Sequence, residues 1–244
     1  MISVCILTKN SEKTLQATLD SVKDFPEVVL LDTGSSDRTI EIAKEYPNVK
    51  IHNSHFYGFG PLRNEIAKRS SHDWILALDS DEVLSENLAQ EILNARLNPL
   101  IAYGMPRHNF YQGQRIRGCG WGGDKVVRLY NRKTTQFCSS AVHESLQAKK
   151  VYRFRFPLLH TPYLSTEDFL RKMQHYSSLF AEQYKGEKHS SFCKALGKAL
   201  FTFFRSYIIK KGILDGSSGF VISLYNANTA FYKYLKLRDL NLER

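Results

Sequence analysis

An α/β domain with a mainly parallel, doubly wound sheet and a helical C-terminal extension is what three features of this 244-residue sequence predict. Short apolar runs alternate with amphipathic stretches from Ile2 to Leu97 in the order β-α-β-α-β-α-β, the pattern that places helices on both faces of a parallel sheet. One of these runs, Trp74-Ile75-Leu76-Ala77-Leu78, is apolar at every position, as a strand buried on both faces must be, and it stops at Asp79-Ser80-Asp81-Glu82. From Thr166 onward the spacing of apolar residues becomes helical.

Taken in order, residues 2–7 form a buried strand closed by Thr8-Lys9-Asn10-Ser11, and residues 12–22 a helix with Leu15, Leu19 and Val22 on one face. Residues 28–31 give the second strand. It ends in Asp32-Thr33-Gly34-Ser35-Ser36-Asp37, a turn and cap cluster ahead of a helix over 39–46. A third strand over 49–52 precedes Gly58-Phe59-Gly60-Pro61, which opens a helix to residue 68, and the strand at Trp74 follows. After a helix over 86–97, residues 101–110, 115–117 and 125–130 read as β structure, with Gln112-Gly113 as a hairpin turn. Residues 118–123 hold four glycines around Trp121 and predict a mobile loop. Residues 151–156 alternate as a half-exposed strand, and helices follow over 167–184, 192–211 and 220–237.

Composition bounds the rest. With 43% hydrophobic and 24% charged residues the chain can bury a substantial core and general disorder is excluded. Cys5, Cys119, Cys138 and Cys193 form no Cys-x-x-Cys pair, which argues against a zinc site or a disulfide framework and fits a reducing compartment. The start is too short in apolar residues for a signal peptide, and no run is long enough to span a bilayer. The expected location is therefore the cytoplasm or the cytoplasmic face of a membrane. Residues 165–244 carry 13 Lys and Arg against 7 Asp and Glu, a net +6 of the chain's +10, which points to an anionic partner, either phospholipid or nucleic acid.

Side chains alternate along a strand, so Asp79 and Asp81 can point the same way from its C-terminal end, where open α/β sheets bind ligands. Two hard oxygen donors there suit Mg²⁺ or Mn²⁺ carrying a phosphate-bearing substrate; otherwise they simply start the next helix. Thr8 with Asn10, Asp32 with Asp37, and Asp79 with Asp81 all sit at strand ends and should border one cleft, where Asp32 and Asp79 can accept hydrogen bonds from a nucleobase and ribose. Arg63, one turn into its helix, is either a cationic fork for phosphate or part of a solvated helix face.

Ile2-Ser3-Val4-Cys5-Ile6-Leu7-Thr8-Lys9-Asn10, Leu31-Asp32-Thr33-Gly34-Ser35-Ser36-Asp37-Arg38-Thr39, Gly60-Pro61-Leu62-Arg63-Asn64 and Leu78-Asp79-Ser80-Asp81-Glu82 together resemble inverting family 2 glycosyltransferases of the GT-A fold. The resemblance continues through residues 121–130 and Val142-His143-Glu144 to His160, and residues 207–219 look like the extension of bacterial lipopolysaccharide-core β-glucosyltransferases. It implies a GT-A catalytic domain over 1–164, divided into a nucleotide-sugar half (1–98) and an acceptor half (99–164), with residues 165–244 as a basic, membrane-docking helical extension. It also implies a UDP-sugar donor, UDP-glucose, held near Thr8, Asn10, Asp32, Arg63 and Asp79, and a divalent metal, Mg²⁺ or Mn²⁺, at Asp81. To the expected location it adds a peripheral place on the cytoplasmic face of the inner membrane. His160 is placed either as a metal ligand or as a structural histidine. Glu144 is the favoured general base and Asp124, after the glycine loop, the second choice; structurally these are a helix-start carboxylate and a turn residue.

The helix over 192–211 carries Phe192, Leu196, Ala199, Leu200, Phe203 and Tyr207 on one side, with Lys194, Lys198 and Arg205 on another. Such a helix either packs in a core with a basic solvated face or lies on an anionic membrane surface; Phe201 among the basic residues and Lys210-Lys211 favour the membrane, which a lipid-linked saccharide acceptor would require. With only Trp74 and Trp121, the chain lacks the Gln-x-x-Arg-Trp motif of processive synthases, so a single transfer is expected. The rival functions are transfer to a protein or peptide side chain, a catalytically dead scaffold, and a basic nucleic-acid- or lipid-binding module. Nucleic acid is disfavoured because the positive charge follows helices rather than an aromatic-studded β platform.

Overall fold

The computed structural model describes residues 1–138 and 145–242. In chain order the strands are β1 (Ile2–Thr8), β2 (Glu27–Asp32), β3 (Val49–Asn53), β4 (Trp74–Asp79), β5 (Glu82–Leu84), β6 (Ala102–Tyr111), β7 (Gln114–Arg115), β8 (Asp124–Asn131), β9 (Val151–Arg153) and β10 (Leu158–Tyr163). The helices are α1 (Leu15–Asp20), α2 (Thr39–Lys44), α3 (Phe59–Arg69), α4 (Glu86–Leu93), α5 (Thr166–Gln183), α6 (Phe192–Phe204) and α7 (Gly216–Leu242). The chain forms two compact units, one of Met1–Arg107 with Asp124–His160, the other of His108–Gly123 with Thr161–Arg244.

In the first unit β3, β2, β1 and β4 lie side by side and parallel, β8 joins β4 antiparallel, and β6 joins β8 antiparallel. The short β5 pairs antiparallel with β10, matching His160 to Glu82. The apolar runs at Ile2 and Trp74 are continuous because the sheet is covered on both faces. Val4, Ile6, Leu76 and Leu78 pack with Leu15, Leu19, Leu88 and Ile92 of α1 and α4, while Cys5, Leu7, Ile75 and Ala77 pack with Leu62 and Ile66 of α3. Each fully buried leucine or isoleucine there contributes roughly 1.5–3 kcal/mol. The predicted α/β architecture with helices on both faces is the one observed.

In the second unit the end of β6 turns back on β7 through Gln112-Gly113, both at positive φ (50° and 77°), as a two-residue hairpin requires. The single helix expected over 192–211 is instead α6 followed by a π-helical turn at Arg205–Ile209 and a 3₁₀ turn at Gly212–Asp215. The break has a steric cause. Lys211 is left-handed (φ 56°), and a Cβ on Gly212 would stand 2.7 Å from Cys119 Sγ and 2.9 Å from the Ser206 carbonyl. A Cβ on Gly219 of α7 would fall 1.8 Å from the Gly212 carbonyl, so the two backbones touch.

The glycine stretch 118–123 is clamped rather than loose. Buried Asp215 accepts the N–H groups of Arg117 (3.0 Å) and Gly118 (2.6 Å), and Trp121 stacks on Tyr163 at 5.7 Å between ring centres. Its glycines serve close packing, which composition does not distinguish from mobility.

At the N-terminal edge of the parallel strands, Glu27 is buried and accepts hydrogen bonds from Ser3 Oγ, Lys50 Nζ (2.7 Å), and both the N–H (2.8 Å) and hydroxyl (2.6 Å) of Ser71. Burial alone would raise its pKa, but these donors outweigh it and hold the carboxyl at about 2 rather than 4.5. A depressed folded-state pKa adds stability that is complete above the unfolded value and is lost as pH falls. Glu27 should therefore supply roughly 3 kcal/mol at neutral pH, fading from about pH 4.5 to about pH 2. Urea unfolding across that window should show a steep loss in the wild type and a flatter one in Glu27→Gln; identical acid limbs would remove Glu27 from this role.

Candidate active site

Three arginines and three carboxylates alternate in a chain at the C-terminal end of β4. Arg63 of α3 donates Nη2–H to Asp79 Oδ1 (2.6 Å), and Arg128 of β8 donates Nη2–H to Asp79 Oδ2 and Glu82 Oε1, both at 2.6 Å. Arg107 of β6 continues the chain, reaching Glu82 Oε1 with Nη1 (3.0 Å) and Asp124 Oδ2 with Nε (2.8 Å). Residues 107 and 124 stand directly opposite in the β6–β8 register, which fixes that pair. Glu82 also accepts the Asp79 N–H (3.0 Å), which turns the chain sharply after β4.

The arrangement is forced by burial. Arg63 is 2% exposed and Glu82 fully buried, and a charge out of water is tolerated only when paired and hydrogen-bonded. Burial pushes the Asp79 pKa up, but Arg128 and Arg63 beside it prevail and hold it well below the usual carboxylate range. With both oxygens engaged by guanidinium groups, Asp79 is a permanently ionised acceptor and a poor base.

Asp81 lies just past the strand, in the turn between β4 and β5, and faces a different partner. His160 Nε2 of β10 is 3.6 Å from Asp81 Oδ1, and both side chains are partly exposed. Among the described residues no three His, Cys, Asp or Glu side chains gather closely enough to hold a metal by themselves. Asp81 and His160 together offer one carboxylate and one imidazole, a partial donor set that fits Mn²⁺, or Mg²⁺ less well, provided a bound ligand and water complete it.

The other expected residues divide. Thr8 is buried at the end of β1, and its hydroxyl has no hydrogen-bond partner among the described residues. Asp32 is buried at the end of β2 and accepts the N–H groups of Gly34 (3.0 Å) and Ser35 (2.9 Å), so it closes its own turn. Asn10, at φ 51°, is exposed and ties the β1 and β2 loops together by accepting the Ser36 N–H (2.8 Å). Asp37 caps the start of α2 through the Thr39 N–H (3.0 Å) and holds the Glu12 N–H (3.1 Å), a structural use. Arg63 belongs to no solvated helix face; it is buried against Asp79 and the Phe137 ring. Asp124 is bound to Arg107, and Glu144 lies outside the described residues.

Sequence reasoning passed over Arg128, Arg107 and the true use of Glu82. A signal was present: Arg128 interrupts the apolar run Val126-Val127-Arg128-Leu129-Tyr130, and a lone charge in such a strand must find a buried counter-charge.

A sheet of this topology with acidic residues at the end of its fourth strand agrees with the sequence match over residues 3–155 to the family model for glycosyl transferase family 2; the chain belongs to that family and is a glycosyltransferase with a GT-A-like fold. An uncharacterized glycosyltransferase of Rickettsia typhi is 29% identical over 259 aligned residues, covering 99% of this chain and 88% of the relative. One from Rickettsia prowazekii matches equally, at 29% over 259 residues with coverage of 99% and 88%. Among solved structures, the mannosyltransferase PcManGT of Pyrobaculum calidifontis, in complex with GDP-Man and Mn²⁺, shares the fold with a TM-score of 0.52 at 12% identity, over 99% of this chain and 86% of that one.

The two neighbouring aspartates should separate in unfolding experiments. Asp79→Asn leaves Arg63 and Arg128 short of a counter-charge and should destabilise the protein by about 3–5 kcal/mol. Asp81→Asn should stay within about 0.5 kcal/mol of the wild type. Equal effects from chemical denaturation would break the distinction drawn between them.

Proposed function

We propose that this protein transfers one glucose from UDP-glucose to a lipopolysaccharide-core acceptor, in a single displacement that inverts the anomeric carbon, at an anionic membrane surface. The observation that carries the donor half is the divergence of Asp79 and Asp81: one carboxylate is locked by arginines, while the other is paired only loosely with a histidine at the ligand-binding end of the sheet. The buried, unpartnered Thr8 hydroxyl beside this end is a second support, since a nucleobase or ribose would satisfy it. Asn10, Asp32, Arg63 and Asp79 complete the donor-binding set, with Asp32 and Asp79 as acceptors and Arg63 holding Asp79 in place.

A divalent ion would be held by Asp81 and His160, where it would offset the charge that develops on the departing diphosphate. That the fold neighbour from Pyrobaculum calidifontis was solved with GDP-Man and Mn²⁺ supports an ion and a nucleotide sugar in this architecture. Glu144 is assigned as the base that takes the acceptor hydroxyl proton. Asp124 is second, and its engagement by Arg107, whose guanidinium occupies the carboxylate, supports that order.

The acceptor half rests on the helical unit. Phe192, Leu196 and Leu200 of the apolar side are exposed, as are Phe201, Phe204, Ile208 and Ile209, which supports the membrane-facing alternative over core packing. Lys194, Lys198, Arg205, Lys210 and Lys211 lie along the same stretch, the composition of an interfacial helix on anionic lipid. Among the described residues no helix is long and apolar enough to cross a membrane. The lipopolysaccharide-core acceptor follows from the likeness of residues 207–219 to that group of enzymes.

Donor titration and single-turnover transfer test the reading together. With Mn²⁺ the wild type should bind UDP-glucose, and Asp81→Ala should lose the metal-dependent binding while remaining folded. Glu144→Gln should keep donor affinity but slow turnover by about 10²- to 10⁴-fold, because proton removal counts only in the transition state. Unchanged Mn²⁺-dependent binding in Asp81→Ala would refute the site, and a turnover-only defect in Asp124→Asn with Glu144→Gln active would move the base to Asp124.

A further inference from the structure

The helical unit contains an open cavity of about 590 Å³, a size typical of small-ligand sites, that the donor reading leaves unused. Four cations line it: Lys198 of α6, Arg205 and Lys210 in the turns after α6, and Lys233 of α7. None of the lining side chains is acidic, and among the described residues none of the four cations forms an ion pair. Such a concentration of like charge is self-repelling unless an anion enters. Burial draws the Lys233 pKa down, the mark of an ammonium group losing water without gaining a counter-charge.

The remaining lining is suited to a sugar. Thr202, Asn226 and Thr229 offer hydroxyl and amide groups, and the rings of Tyr225 and Tyr234 bound the same space, with Lys198 Nζ 5.9 Å from the Tyr234 ring centre. Asn226 is oriented by donating to Ser206 Oγ (3.1 Å). The cavity exceeds what a bare phosphate would need, and it combines a charged part with a polar, aromatic one. Phe201, 58% exposed, stands at its edge and belongs to the apolar stretch assigned to the membrane.

We infer that this cavity binds a phosphorylated sugar, with the phosphate among Lys198, Arg205, Lys210 and Lys233 and the ring against Tyr225, Tyr234 and the polar groups of α6 and α7. Resting on the lipid-linked acceptor reading, it is the place where a phosphate-bearing saccharide of that acceptor is recognised. The Lys198–Lys233 pair selects for charge, and the tyrosines and amide select against a plain phospholipid headgroup.

The test uses the full chain in EDTA, so that no divalent ion supports diphosphate binding elsewhere, with glucose 6-phosphate as the probe and hydrogen exchange as the readout. Glucose 6-phosphate should slow exchange in residues 198–210 and 225–234, whereas glucose should not. Lys198→Gln with Lys233→Gln should raise the half-saturating concentration at least tenfold, and Arg205→Gln with Lys210→Gln should do the same through different residues. Exposed Lys23→Gln with Lys44→Gln, which removes the same net charge, should leave it unchanged. Loss of protection in that control pair, protection elsewhere only, or a response to phosphatidylglycerol vesicles without one to glucose 6-phosphate would overturn the inference. Donor titration of the wild type runs alongside: UDP-glucose binding without protection by the sugar phosphate defeats this inference alone, and the converse defeats the donor reading alone.

Discussion

Arg128 is the side chain on which the candidate active site depends. It enters from β8, the first antiparallel neighbour of the parallel strands, and bonds both Asp79 at the end of β4 and the buried Glu82 three residues later. Without it two carboxylates would be withdrawn from water with too little positive charge, a state that costs several kcal/mol. With it the chain can turn abruptly after β4, and Asp81 is left facing His160 instead of the arginines. The separation of roles between two aspartates two residues apart is thus the result of one guanidinium group.

Much of this could be read from the residues. Continuous apolar runs at Ile2 and Trp74 could only be strands covered on both faces, and the clusters on either side of the sheet bear that out. The acidic end of β4 was visible as Asp79-Ser80-Asp81-Glu82, because carboxylates that interrupt an apolar run mark where the strand stops, although Glu82 proves to be fully buried. What could not be read was which carboxylate pairs with which cation. Arg107 and Arg128 arrive from strands far along the chain, and their approach depends on an antiparallel register that local pattern does not encode. Asp32 and Asp37 illustrate a related ambiguity: the same oxygens that suit a ligand also suit a turn or a helix start, and here they are engaged in both structural uses.

The helical unit shows where composition misleads. Glycines at 118–123 looked like freedom, yet Gly118 has no room for a Cβ beside the Lys211 carbonyl, and its N–H is held by Asp215. The same constraint explains why α6 gives way to a π-helical turn: Gly212 and Gly219 bring two backbones into contact, and a straight helix through Lys211 would not allow it. Leu196, Leu200 and Phe204 of α6 remain exposed in this arrangement. A helical period reports one face; which surface covers it is set by tertiary structure.

Arg128 and Glu82 are coupled inside the protein and jointly set the geometry at the end of β4. A double-mutant cycle measures that coupling directly: urea unfolding of the wild type, Arg128→Met, Glu82→Gln and the double variant, at fixed pH and salt. Each single change should destabilise strongly and the double variant by much less than their sum, giving a coupling of about 2–3 kcal/mol. Additive effects, with a coupling near zero, would mean that Arg128 and Glu82 do not set this geometry together.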